Sequence, residues 1–174
     1  MSTPLLRGFP PVVDERARTL IVGSFPSAQS LAAGQYYANP RNAFWSITGE
    51  LYGFEASAPY DRRLAALQSH GVALWDVLNA CRRVGSADAA IEPKSLVANN
   101  FDELFAQYPT ITTVYFNGVK AADLFARLAT APDRIRYQRL PSTSPAHAMR
   151  PGAKLAAWRV IASAARPGEA GHRQ

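Results

Sequence analysis

Four short runs of β-favouring residues recur along this chain, separated by segments with helical spacing, and that alternation restricts the available folds more than any other feature. The runs are Thr19–Val22 ending at Gly23, Val72–Trp75 after Gly71, Ile111–Phe116 just after Pro109, and Ile135–Leu140. Between them, apolar residues fall on single helical faces: Phe44, Ile47 and Leu51; Leu64 and Leu67 within 60–70; Phe101, Leu104, Phe105 and Tyr108; Leu124, Phe125 and Leu128. A last helix is expected to open at Pro151, which suits a first-turn position, and to bury Leu155, Trp158 and Ile161 or Ala162 on one face. Strand and helix in alternation imply an α/β fold with a central, mainly parallel four-stranded sheet covered on both faces, a three-layer αβα arrangement.

The chain has 174 residues, 48% hydrophobic and 18% charged, enough apolar material for one full core. One domain over 1–165 is expected, followed by a disordered polar tail at 166–174. No apolar run reaches the ~18 residues of a membrane span, and the first 22 residues lack the pattern of a signal peptide, so a cytoplasmic protein is expected. A single cysteine, Cys81, and three scattered histidines disfavour a disulfide or a structural metal site. Neither metal nor cofactor is expected. Nineteen Lys and Arg against 13 Asp and Glu give a net charge of +6, which favours a polyanionic partner, nucleic acid first.

In an open parallel sheet, ligands bind beyond the carboxyl ends of the strands. The residues there are Gly23-Ser24-Phe25-Pro26-Ser27, then a loop from Gln35 to Asn42, Asp76, Asn117-Gly118, and a loop from Pro141 to His147. The first of these is neither a GxGxxG nor a GxxxxGK[ST] loop, which disfavours a nucleotide-binding enzyme. Asp76 is the only carboxylate directly after a predicted central strand; it suits a general base, or a hydrogen-bond anchor for the loop through Arg82 and Arg83, and the anchor is the preferred reading. Asn117-Gly118 also suits a turn with positive φ at both residues.

Five strings in order, GSFPS, QYYANPRNAFW, ALWDVLNACRRVGSAD, YFNGVKA and LPSTSPA, resemble the uracil-DNA glycosylase superfamily and, within it, the hypoxanthine-DNA (deoxyinosine) glycosylase family. The likeness runs from about Leu20 to Trp158. It implies a monofunctional glycosylase that flips a deaminated base out of DNA, hydrolyses the N-glycosidic bond and leaves an abasic site, hypoxanthine being the expected base. A lyase step has little support, because Lys120 is the only lysine in these strings. The transition state places positive charge on the sugar, so the enzyme must hold a water at C1′ and aim donors at the departing base. An amide can do either.

On this likeness Asn42, in the string PRN-aromatic, is the catalytic candidate; asparagine there equally suits a helix N-cap. The base pocket is expected from Gly23, Ser24, Phe25, Pro26, Tyr37, Asn39, Trp75, Asp76 and Asn117, with Phe25 suited to stacking or to core packing, and Tyr36 an alternative to Tyr37. Asn39 stands where the family more often has histidine, and suits a turn before Pro40. Ser24 and Phe25 replace a polar activating residue of the wider superfamily, and Leu140 replaces a histidine that stabilises the leaving base. His147 is the substitute donor considered. DNA contacts are expected from Ser27, Arg41, Lys120, Ser142, Thr143, Ser144, His147 and Arg150, with Arg82 and Arg83 further candidates, Met149 a candidate wedge, and Arg16, Arg62 and Arg63 assigned to solvated surface. Trp45 and Trp158 are assigned to the core. DNA is the one partner inferred, and a monomer is expected. Two alternatives stay open: a uracil- or broad-specificity glycosylase of this fold, and a non-catalytic DNA-binding domain on the same scaffold.

Overall fold

A computed structural model describes residues 3–163. In chain order the elements are β1 (Leu5–Arg7), β2 (Thr19–Gly23), α1 (Ala28–Ala33), α2 (Phe44–Tyr52), α3 (Tyr60–Ser69), β3 (Val72–Asp76) and β4 (Leu78–Arg82), then a 3-10 turn (Asp88–Ala90). They continue with β5 (Val97–Ala98), α4 (Phe101–Gln107), β6 (Thr113–Asn117), α5 (Val119–Leu128), β7 (Arg136–Leu140), α6 (Pro151–Trp158) and α7 (Val160–Ser163). The tail expected at 166–174 lies outside the described residues.

The four expected strands form a parallel sheet in the order β3-β2-β6-β7. Every residue of β2 and β3 is buried, which explains why these segments read as continuous apolar runs instead of an alternation. Side-chain alternation still divides them between two layers. Ile21, Leu74, Tyr115 and Leu140 pack against Phe44, Trp45, Ile47 and Leu67 of α2 and α3 and against Trp158 and Ile161. On the opposite face, Leu20, Val22, Ala73, Trp75, Val114 and Phe116 pack against Phe101, Leu104, Phe105, Leu124 and Phe125 of α4 and α5.

A second, antiparallel sheet, β1-β4-β5, is absent from the sequence expectation. β4 follows β3 after Val77, whose N–H bonds the Gly23 carbonyl at 2.8 Å while the Leu78 N–H bonds the Ser24 carbonyl at 3.1 Å. Asp76 therefore sits where the chain passes from one sheet to the other. The single C-terminal helix expected from Pro151 is divided at Arg159 into α6 and α7. Lys154 also lies buried on α6, although Trp158 and Ile161 face the core as expected.

Trp158 is fully buried, meets Phe44 edge-on with centroids 6.2 Å apart, and donates from Nε1 to the Pro141 carbonyl at 2.8 Å. It joins α6 to the loop after β7. Trp158→Ala is expected to cost about 3–5 kcal/mol in urea unfolding, and Trp158→Phe much less. Equal losses would mean that the hydrogen bond, and not ring volume, sets the stability.

Candidate active site

A cavity of about 360 Å³ opens at the carboxyl ends of the parallel strands. Its floor is built by a close approach. Gly23 and Asp76 are register partners on β2 and β3, and a Cβ at residue 23 would lie 2.5 Å from Asp76 Oδ1 and 3.4 Å from Tyr37 Oη. Only glycine leaves room for both groups. Asp76 is 5% exposed, and its Oδ2 is buried without a hydrogen-bond partner. Burial, and then the neighbouring Asp88 carboxylate, push the Asp76 carboxyl up to about 7, against a smaller opposing pull from the Arg83 guanidinium.

Tyr37 forms the adjoining wall. It is the one non-glycine residue with positive φ among the described residues, at 57°, and its ring stacks on Phe44 with centroids 4.0 Å apart. Burial raises its phenol well above the ordinary range, and the hydroxyl lies near the Asn117 amide without a hydrogen bond of standard geometry. Phe25 lines the cavity, with the Arg83 guanidinium 5.2 Å behind its ring.

Asn42 also lines the cavity, and its Oδ1 accepts from the Phe44 N–H at 2.9 Å. The cap position of α2 itself is Ala43, so Asn42 serves the helix start from one residue earlier than a conventional N-cap. One lone pair of Oδ1 is thus used, while the second lone pair and the Nδ2 protons have no partner among the described residues. Asn39 makes the turn expected of it, accepting from the Arg41 N–H at 3.0 Å, and its side chain lines the cavity too.

Asn117 is clamped at both ends: Nδ2 donates to Thr143 Oγ1 and Oδ1 accepts from the Thr143 N–H, each at 2.9 Å. The loop after β7 is therefore locked to the end of β6. Gly118 completes the joint with φ of 95° and a Cβ position only 3.0 Å from the Ser142 Cβ. Of the two residues expected to adopt positive φ, only Gly118 does so.

The Uracil DNA glycosylase superfamily profile matches residues 10–162. The chain belongs to this superfamily. It is 39% identical over 118 residues to proteins named hypoxanthine DNA glycosylase from Methanosarcina barkeri and Methanosarcina acetivorans, a match covering 67% of this chain and 73% of each relative. The solution NMR structure of a candidate uracil DNA glycosylase from Methanosarcina acetivorans superposes with a TM-score of 0.76 at 32% identity, covering 91% of this chain and 97% of that one.

In this superfamily member, most of the residues singled out from sequence meet at the cavity, but several do not. Trp75 is a correction: alternation along β3 turns it to the face opposite Asp76, where it packs on Phe101 at 4.9 Å and donates to the Phe9 carbonyl. Thr143 lines the cavity but is 1% exposed, with its N–H already given to Asn117, so it positions the loop instead of gripping a phosphate. Arg83 is 3% exposed and bonds the carbonyls of Pro26 and Gly85, which removes it from the phosphate candidates. Asp76 makes no side-chain bond to Arg82 or Arg83, so the anchor reading fails. Arg63, assigned to solvated surface, stacks 4.6 Å over Trp45.

Ser24, Pro26, Ser27, Tyr36, Ser142 and Ser144 line the cavity; Arg41, Lys120, His147 and Arg150 lie outside its lining. Arg41, His147 and Arg150 are exposed and Lys120 is half-buried on the first turn of α5. The buried Lys154 Nζ holds the loop from below, donating to the carbonyls of Ser144 at 3.4 Å and His147 at 3.1 Å. One wall was missed altogether: Ser86, Ala87, Asp88 and Ala89, fastened by Ser24 Oγ to Asp88 Oδ1 at 2.8 Å and by the Ala28 N–H to Ser86 Oγ at 2.8 Å. The available signal was the string ending GSAD, which carried the likeness beyond the strand.

Proposed function

We propose that this DNA glycosylase excises hypoxanthine from deoxyinosine in DNA, leaving an abasic site for base excision repair. The observation that carries the reading is the meeting of Asn42, Asp76 and the aromatic walls Phe25 and Tyr37 in one cavity of a chain 39% identical to hypoxanthine DNA glycosylases. A cavity near 360 Å³ falls in the ~300–1,000 Å³ range of small-ligand sites and accommodates a flipped purine.

Asn42 is the catalytic residue of this proposal. With one Oδ1 lone pair tied to the Phe44 N–H, the amide is fixed in orientation, and its second lone pair holds the water that attacks C1′. Phe25 and Tyr37 supply faces for the flipped base, and Asn117 and Thr143 hold the two strand-end loops at a constant separation. Ser27, Ser142 and Ser144 meet the backbone at the cavity, and Arg41, Lys120, His147 and Arg150 meet more distant phosphates. The proposed form is a monomer acting in the cytoplasm.

Single-turnover cleavage of oligonucleotides bearing one deoxyinosine, deoxyuridine or deoxyxanthosine, with alkali to reveal abasic sites, tests the reading. Deoxyinosine is expected to react fastest. Faster uracil release would move the protein to the uracil-type reading that the Methanosarcina acetivorans structure favours, and salt-sensitive binding without cleavage would leave a DNA-binding domain. Arg41→Ala and Arg150→Ala are each expected to weaken binding across all sequences. Each should reduce the slope of log K against log salt by about 1, the signature of one lost phosphate contact. An unchanged slope would remove that arginine from the DNA surface.

A further inference from the structure

Resting on the reading that a purine leaves this pocket, we propose that Asp76 is the general acid, passing its carboxyl proton to a ring nitrogen of the departing base. The pocket holds few alternatives. No Lys, Arg or His stands among the described residues lining the cavity, whereas two carboxylic residues do, Asp76 on the floor and Asp88 on the wall. A base leaving as an anion would face the Asp88 side chain and meet no cation in the cavity lining. Leu140 is buried in the core and His147 is exposed outside the lining, so neither strand seven nor its loop supplies a histidine donor. Asp76 is 5% exposed, its Oδ2 lacks any partner, and the missing Cβ at Gly23 keeps its carboxyl at the cavity floor.

The groups facing it explain why the carboxyl still carries a proton about half of the time near pH 7. Asp88 approaches from the 3-10 turn, Arg83 from beyond β4, and the Tyr36 and Tyr37 phenols from the loop before α2. Burial and Asp88 outweigh Arg83 and hold the carboxyl near 7. In the proposed step the C1′–N9 bond breaks and its electron pair stays on the base. The Asp76 proton moves to the base, which leaves neutral, while water bonds C1′ and releases its own proton to solvent. Asp76 then recovers a proton from solvent.

The test is the single-turnover rate on a deoxyinosine oligonucleotide from pH 5.5 to 9 at saturating enzyme, for wild type, Asp76→Asn and His147→Gln. An acid must carry its proton to act, so the wild-type rate is expected to fall above about pH 7, approaching tenfold per unit. The falling limb should persist in His147→Gln. Asp76→Asn should be slower by about 10²-fold or more at pH 6, and should lack that limb. Asparagine removes a buried ionisable group whose charged form is disfavoured in the fold, so at pH 8 this variant should melt no lower than wild type. A flat wild-type profile, a limb abolished by His147→Gln, or an Asp76→Asn rate within threefold of wild type would each overturn the proposal. Absence of deoxyinosine cleavage at every pH would instead remove the hypoxanthine reading beneath it.

Discussion

Replacing Asn42 with alanine is expected to lower the single-turnover excision rate by about 10²–10³-fold, the usual cost of deleting one positioned polar group from an active site. The residue also supports the start of α2 through the Phe44 N–H, so the same change should cost about 1 kcal/mol of stability. The two losses can be separated. Asn42→Asp keeps an oxygen for the Phe44 N–H and acceptor lone pairs for the water, and should retain stability. It should therefore be stable and faster than Asn42→Ala. If Asn42→Ala loses stability while its rate per folded molecule stays within threefold of wild type, Asn42 is a helix-capping residue and the water is held elsewhere.

Gly23→Ala is expected to reduce excision by about 10²-fold, because a displacement of roughly 1 Å at a reacting group has that effect. The new methyl would meet Asp76 Oδ1 at 2.5 Å, nearer than non-bonded atoms tolerate, and Tyr37 Oη at 3.4 Å. Asp76 lies in a fully buried strand and can yield only by leaving the floor of the cavity. Overpacking of this kind should cost about 1–3 kcal/mol. A double-mutant cycle in urea with Asp76→Ala identifies the cause: the Gly23→Ala penalty should largely vanish when the carboxylate is gone. Additive losses would show that the methyl strains the β2 backbone instead.

The parallel sheet was legible in the sequence because its strands are short β-branched and aromatic runs ended by glycine, proline or polar residues, and its helices carry a regular apolar face. The second sheet was not legible. Leu5–Arg7 is three residues set between prolines, Val97–Ala98 is two, and Leu78–Arg82 follows Asp76 without a turn that would announce a new strand. α1 was missed for a related reason: AQSLAA has no amphipathic period, and its start depends on Ser27 accepting from the Ser30 N–H. Within the site, motif loops after the strands were visible, whereas the Ser86–Ala89 wall arrives from the unseen sheet. The Trp75 error was avoidable, since a period of two already places Trp75 and Asp76 on opposite faces. Thr143 and Arg83 could not be resolved that way, because both have partners supplied by distant segments.

The left-handed backbone of Tyr37 bears on how the protein would respond to selection. A tyrosine at φ 57° pays a conformational penalty, of order 1 kcal/mol or more, that glycine would not. Tyr37→Gly would relieve that penalty but remove the ring stacked on Phe44, a loss of about 3–5 kcal/mol, so selection for heat resistance alone should retain the tyrosine. The same packing that steadies the fold thus holds this wall of the cavity in place, and a screen for robust variants of this chain would leave it standing.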